Sequence, residues 1–132
     1  MDLIEVYSQS QIDDITRKRF GESKIGEEVI VISDATRWED DLKNNDSKFV
    51  IIGIPEDIGV RANLGRGGAH TAWKPALDSF LNQQSNQFLN GKDCCVLGHI
   101  FVDDLMEKAN QLNSSLSHSD TVDTHHSTPQ AR

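Results

Sequence analysis

Residues 49–69 read FVIIGIPEDIGVRANLGRGGA and decide the predicted fold. Residues 49–52 form an apolar run bounded by turn-forming residues, which is typical of a β-strand buried on both faces. A glycine-rich loop with two arginines, an asparagine and two acidic residues then leaves the end of that strand. Because open α/β sheets bind ligands at the carboxyl ends of their strands, the sequence predicts that this loop contacts a small polar molecule.

Helical and strand patterns alternate on both sides of this stretch. Such alternation favours a parallel sheet covered by helices. We expect an α/β protein in which residues 1–112 form a small parallel sheet that is covered by helices on both faces. The expected elements are helices over residues 8–20, 36–44, 75–90 and 103–112, and strands over 28–33, 48–54 and 93–100.

The composition changes at residue 113. Residues 113–132 contain only two aliphatic side chains larger than alanine, Leu116 and Val122. A segment of this kind buries too little apolar surface to offset the entropy lost on ordering. The sequence therefore predicts a disordered C-terminal tail over residues 113–132.

Charge and cysteine content narrow the class of protein. The formal net charge of the 132-residue chain is −8 and no basic stripe is present, which argues against nucleic acid and anionic membranes as partners. The N-terminus has no basic region followed by an apolar one, so we expect no secretory signal and a cytoplasmic location. Cys94 and Cys95 are adjacent in a predicted strand, point to opposite faces and are expected to stay reduced.

The candidate ligand-binding residues lie in the loop. Arg61 and Arg66 are suited to gripping a carboxylate with two hydrogen bonds each, and Asn63 both donates and accepts. The alternative is a surface connection in which these arginines pair with Glu56 and Asp57. A phosphate-binding loop is disfavoured because no Gly-Lys-Ser/Thr follows the glycines.

Other chemistry-bearing residues have weaker signals. His99 ends a predicted strand and either faces a ligand crevice or is a hydrogen-bonded structural histidine. His70 lies beside the glycine-rich loop and is a candidate ligand contact. Trp38 and Trp73 are expected to be packing residues. The pair at 103–104 is expected to cap a helix.

The loop motif Gly-Val-Arg-Ala-Asn-Leu-Gly-Arg-Gly-Gly, residues 59–68, and the strand Val-Leu-Gly-His-Ile-Phe-Val-Asp-Asp-Leu, residues 96–105, resemble the ureohydrolase family. That family contains arginase, agmatinase and formimidoylglutamase, and the loop is most similar to the formimidoylglutamase branch. The resemblance implies that residues 1–112 are the N-terminal part of an arginase-like, three-layer α/β/α domain with a partial parallel sheet. The activity it implies is hydrolysis of a linear amidine or guanidine carbon–nitrogen bond by a hydroxide bridging two manganese ions. The resemblance also implies that Arg61, Asn63 and Arg66 help to line the mouth of the substrate site.

The metal-ligand motifs of that family are missing. Its ligands lie in Gly-Gly-(Asp/Gly)-His, Asp-Ala-His-x-Asp and Ser-x-Asp-x-Asp, and none of these occurs here; the Asp-x-His at residues 123–125 lacks the second Asp. We therefore expect no catalytic residue and no metal ligand in this chain, which is predicted to be an N-terminal ureohydrolase fragment, inactive alone and prone to self-association. The alternative is a small complete α/β ligand-binding or regulatory domain without catalysis.

Overall fold

The computed structural model describes residues 3–119 and has a mixed α/β fold. Three strands and six α-helices follow one another in the described part of the chain, with 3-10 turns at Ala35–Arg37, Ala69–Ala72 and Gly91–Asp93. The elements are β1 (Ile4–Val6), α1 (Gln9–Ile15), α2 (Ile25–Glu28), α3 (Trp38–Asn44), β2 (Phe49–Gly53), α4 (Ile58–Ala62), α5 (Trp73–Leu81), β3 (Cys94–Ile100) and α6 (Asp103–Ser119).

The sheet is mixed, with β3 between the other two strands. β2 runs parallel to β3, as the sequence predicts, whereas β1 is antiparallel and pairs Val6 with Gly98. The parallel register shifts by one residue between Ile51 and Ile52, opposite the step from Val96 to Gly98. A β-bulge of this kind bends the strand and re-aims the side chains that follow it. The expectation of a purely parallel sheet was therefore wrong.

The strand expected over residues 28–33 is reduced to one parallel bridge between Ile30 and Cys95. Its first residue instead ends α2, whose Glu27 carboxylate accepts a 2.8 Å hydrogen bond from the Lys24 backbone N–H. β2 already occupies one edge of β3, and β1 takes the C-terminal part of the other edge. Residues 28–33 are left with only the N-terminal part of that second edge, which is why their pairing is so short.

Alternate residues of β3 enter two separate apolar clusters, because successive side chains of a strand point to opposite faces. Cys94 and Val96 pack with the buried side chains of α1, α2 and α5, whereas Cys95 and Leu97 pack with Ile32 and the partly buried side chains of α3. Both cysteines are free and buried, and their side chains point to opposite faces of β3, as the sequence predicts. Burial raises the pKa of both thiols. The first cluster contains Tyr7, Ile12, Ile25, Val29, Leu77, Leu81, Cys94 and Val96.

Three predicted helices end at other residues in the structure. α1 begins after its Ser8 cap but ends at Ile15, and α5 ends at Leu81, not near residue 90. Asn82 ends both helices at once, because its amide group donates to the carbonyls of Ile15 and Asp78 at 3.0 and 2.8 Å. α6 continues to Ser119, so the predicted tail boundary at 113 falls within a helix. Residues 120–132, the rest of that predicted tail, lie outside the described residues.

Length and apolar content decide whether a helix of residues 3–119 could span a membrane. None of them combines the length and the apolar content needed to cross a bilayer.

Candidate functional site

The loop after β2 is organised around the carboxylate of Asp57. This side chain is 3% exposed and lies between β2 and α4. Its Oδ2 atom accepts a 2.8 Å hydrogen bond from the Gly68 backbone N–H and lies 3.2 Å from Nδ1 of His70. Its Oδ1 atom lies 3.0 Å from Nε of Arg61. One carboxylate therefore closes the whole glycine-rich segment from residue 57 to residue 70.

Three nearby groups stabilise the charged form of Asp57. The Gly68 N–H is the main cause of a lowered pKa, followed by the hydrogen bond from His70 and the charge of Arg61, all of which outweigh the opposing effect of burial. The contact between Arg61 Nε and Asp57 Oδ1 is short, but its angles do not make a hydrogen bond, and neither atom has another partner. The attraction between these two atoms is therefore mainly Coulombic.

The predicted substrate contacts of the loop do not meet at one place. Arg61 pairs with Asp57 and also reaches α6, where its guanidinium contacts Asn110 Oδ1 and lies 4.0 Å from the sulfur of Met106. Asn63 ends α4 and is exposed, and Arg66 is exposed further along the loop. The substrate-binding role of Arg61, Asn63 and Arg66 stays a prediction, and the structure gives Arg61 a structural role in addition.

A cleft of about 940 Å³ lies beside the loop and takes none of its walls from Arg61, Asn63 or Arg66. Its residues come from β1, α1, the turn after β2, the segment 70–78, the end of β3 and the start of α6. It is thus near the carboxyl ends of β2 and β3, where the sequence predicts a ligand. The lining residues are Glu5, Tyr7, Gln11, Asp14, Ile15, Pro55, His70, Thr71, Trp73, Lys74, Leu77, Asp78, His99 and Asp103.

Tyr7, Trp73 and His99 form a hydrogen-bonded row along one wall of this cleft. The indole Nε1 of Trp73 donates to the Tyr7 hydroxyl at 2.9 Å, and that hydroxyl lies 2.6 Å from Nδ1 of His99. The rings of Tyr7 and His99 meet edge to face with their centroids 5.5 Å apart. Burial raises the pKa of the Tyr7 phenol, and the nearby Glu5 carboxylate raises it further. Tyr7 is therefore a neutral hydroxyl at physiological pH.

Gly53 makes room for this row at the end of β2. A Cβ atom added there would lie 2.3 Å from Cε2 of Trp73, closer than non-bonded carbon atoms approach. The indole consequently lies directly against the strand end, with its Nε1 atom directed at Tyr7. Trp73, expected only to pack, also orients a polar group of the cleft.

The cleft is predominantly acidic. Glu5, Asp14, Asp78 and Asp103 line it, against one lysine, Lys74. Asp78 is engaged by both terminal nitrogens of Arg17 at 2.9 and 3.0 Å, an ion pair that lowers its pKa. The Oε2 atom of Glu5 lies 3.3 Å from Nδ1 of His99. Asp14 and Asp103 remain as carboxylates of the cleft, and they favour a ligand with a cationic group.

Sequence reasoning missed two cleft residues near the N-terminus, Glu5 in β1 and Tyr7 directly after it. The signal was present, since residues 4–7 read Ile-Glu-Val-Tyr and alternate apolar with polar or amphipathic side chains, the period of a half-buried strand. His70 and His99, both candidate ligand contacts in the sequence, line the cleft, and their contact with a ligand stays a prediction. His99 is in addition hydrogen-bonded, so the two interpretations of it hold together.

No protein-family model matches the chain, and neither a curated protein nor a solved structure matches it. Within residues 3–119 no group of three or more His, Cys, Asp or Glu side chains is arranged to hold a metal ion. The described residues thus provide no set of ligands that fits the paired manganese ions implied by the ureohydrolase resemblance.

Proposed function

We propose that this chain is the N-terminal part of a metal-dependent hydrolase that cleaves a carbon–nitrogen bond of a linear amidine or guanidine. The observation that supports it is the acidic, aromatic-walled cleft beside the glycine-rich loop. In this proposal the cleft receives the cationic group of the substrate. The manganese ligands belong to the later strands that the resemblance to ureohydrolases implies.

The chemistry of the cleft suits a planar cation. A guanidinium or amidinium group offers several N–H donors in one plane, which match carboxylate acceptors such as Glu5 and Asp103. Aromatic rings such as Tyr7 and Trp73 also attract cations through their π faces. The cleft provides a means of binding and orienting such a group, whereas the nucleophile has to come from elsewhere.

A binding measurement tests this assignment. Methylguanidinium, titrated into the isotopically labelled protein, is expected to shift the amide resonances of residues 5, 7 and 99. Asp103→Asn removes a lining charge and is expected to weaken this binding several-fold. Asp46→Asn, an exposed position outside the cleft, is the matched control and should leave binding unchanged. Saturable binding that maps to another surface would contradict the proposal.

An activity measurement tests whether this chain, which is proposed to bind the cationic group, lacks hydrolysis of its own. We expect the purified chain to release no urea or formamide from arginine, agmatine or formimidoylglutamate in the presence of Mn²⁺. The physical reason is that no described residue set can place a metal-bound hydroxide, the nucleophile of this chemistry. Turnover above a blank that a chelator abolishes would show that this chain carries its own metal site.

The second candidate is a small α/β ligand-binding domain without catalysis. It is favoured by the two apolar clusters on opposite faces of β3, since covered faces are a requirement of a self-sufficient sheet. The coding DNA beyond the Arg132 codon separates the two candidates. A reading frame for Gly-Gly-x-His and Asp-Ala-His-x-Asp would support the hydrolase, and no such frame would support the binding domain.

Self-association of the chain is part of the same proposal. The outer edge of β2 has no strand partner among residues 3–119, and Phe49 and Val50 on it are 59% and 47% exposed. Unpaired backbone groups beside exposed apolar side chains recruit further strands. Sedimentation velocity is expected to show concentration-dependent association, and Phe49→Lys is expected to reduce it. A monomer at every concentration would contradict this expectation.

A further inference from the structure

The positions of the hydrogen atoms in the Tyr7 row follow from the chemistry of its members. Trp73 Nε1 is a donor only, so the Tyr7 oxygen accepts from it. Tyr7 then has one hydrogen to donate, and the nearest acceptor is Nδ1 of His99 at 2.6 Å. This direction fits a phenol whose raised pKa keeps it protonated.

The opposite direction leaves a polar hydrogen without a partner. If Nδ1 of His99 carried the proton and donated to Tyr7, the Tyr7 oxygen would accept two bonds and its own hydrogen would need another acceptor. Tyr7 is only 7% exposed, and no other hydrogen bond of its hydroxyl exists in the described part of the chain. A buried donor without an acceptor is strongly disfavoured. His99 Nδ1 is therefore an acceptor.

A neutral imidazole with an acceptor at Nδ1 carries its proton at Nε2. When His99 is protonated, the added hydrogen goes to Nδ1, where the Glu5 carboxylate at 3.3 Å is ready to accept it. The Nε2 atom carries a hydrogen in both states. It makes no hydrogen bond with any residue from 3 to 119, and His99 lines the cleft.

We propose that His99 is a fixed hydrogen-bond donor of the cleft, set in this form by Tyr7 and Trp73, and that its Nε2–H binds a carboxylate group of the ligand. Lys74 lies on the same cleft, forms no ion pair within residues 3–119 and supplies a positive charge for the same group. Since carboxylates on the cleft favour a cation, the ligand carries both signs of charge. The tautomer and the carboxylate site stand independently, whereas the cationic end of the ligand rests on the proposed function.

The tautomer is tested first, without any ligand. Nitrogen-15 NMR of the histidine rings is expected to show the neutral His99 ring with a protonated Nε2 and an unprotonated Nδ1. Tyr7→Phe removes the donor to Nδ1 and is expected to populate the other tautomer, with Glu5 as the new acceptor. His70→Gln, a change at the histidine that contacts Asp57 and takes no part in the Tyr7 row, is the control and should leave the His99 signature unchanged. A protonated Nδ1 in the wild-type protein would overturn the assignment.

The donor role is tested with acetate as the probe for the carboxylate. Acetate is expected to shift the His99 Nε2 resonance, and His99→Leu is expected to weaken acetate binding about tenfold. His99→Gln places an amide donor close to the original Nε2 position and should retain most of the binding. Equal loss in both variants would overturn the donor role.

Methylguanidinium separates this inference from the proposed function. Acetate binding at His99 without methylguanidinium binding would keep the carboxylate site and remove the proposed substrate class. Methylguanidinium binding without an acetate effect on His99 would keep the proposed substrate class and remove the carboxylate site. A failure of both probes to bind in the cleft would overturn both.

Discussion

The loop around Asp57 and the cleft around His99 lie next to each other. They differ in whether their polar groups have partners within the fold. In the loop, the buried Asp57 carboxylate is surrounded by Arg61, Gly68 and His70, so its charge is neutralised within the fold. In the cleft, His99 is held at Nδ1 while its Nε2 has no partner among residues 3–119. The charged residues that look most like a motif in the sequence thus form part of the scaffold, whereas His99, whose sequence signal is weaker, lines the cleft.

Gly98→Ala is expected to have the largest effect and to remove the cleft while sparing the loop. Gly98 has φ of 148°, and an added Cβ would lie 1.8 Å from the Glu5 carbonyl oxygen. The change should detach β1 from β3 and destabilise the protein by about 3 kcal/mol. Urea unfolding measures the decrease in the free energy of unfolding. The ring resonances of His99 should shift because its environment changes, whereas those of His70 should stay in place. An unchanged free energy of unfolding would contradict this account of β1.

Asp57→Asn is expected to have the next largest effect and to loosen the loop while sparing the cleft. The variant leaves Arg61 without its anionic partner and weakens the hydrogen bond to the Gly68 N–H. Hydrogen exchange of the Gly68 amide should become about tenfold faster or more. Asp46→Asn is the exposed control for loss of one negative charge. Equal exchange in Asp57→Asn and the wild-type protein would show that Asp57 does not close the loop.

Tyr7→Phe is expected to have a smaller effect, confined to the cleft. The variant keeps the ring packing but deprives Trp73 and His99 of their shared partner. The expected cost is about 1 kcal/mol of unfolding free energy, the usual net value of a neutral hydrogen bond. Exchange of the Gly68 amide should stay as in the wild-type protein. If Tyr7→Phe accelerates exchange of the Gly68 amide as much as Asp57→Asn does, the loop and the cleft are coupled and cannot be treated as separate regions.

Acid is expected to have the smallest effect and to act on the loop. The pKa of Asp57 is lowered in the folded state, so its stabilising contribution is complete above the unfolded pKa of about 3.9 and is lost as the pH falls through the folded value. The stability difference between the wild-type protein and Asp57→Asn should thus be constant from pH 7 to about pH 5 and shrink below about pH 4. Asp34 and Asp78 also have lowered pKa values, but both are common to the two proteins. A difference that grows towards low pH would contradict the assignment.

Local sequence signals predicted most of the elements of residues 3–119. The alternation of Cys94 to Leu97 between two faces was readable because burial on both faces leaves few polar side chains in a strand. The apolar run at 49–52 also predicted the strand β2, but the expectation that this strand is buried on both faces was wrong, because β2 lies at the edge of the sheet with Phe49 and Val50 exposed. The acidic residues at the start of α6 were readable because capping uses residues close in sequence. The carboxyl end of β2 as the place of a cleft followed from the same pattern.

The long-range pairings were decided only by the tertiary structure. Tyr7 and His99 are 92 residues apart, and their contact depends on the antiparallel register of β1 against β3. Competition for one edge of β3 shortened the predicted strand at 28–33 to a single bridge, and no local pattern records such competition. The sequence alone indicated which segments are apolar, the approximate positions of most helices and which loop follows β2. Which charges neutralise each other and which face the cleft depended on the packing of distant strands, because ion pairs and hydrogen bonds are set by distances between side chains that only the folded chain brings together.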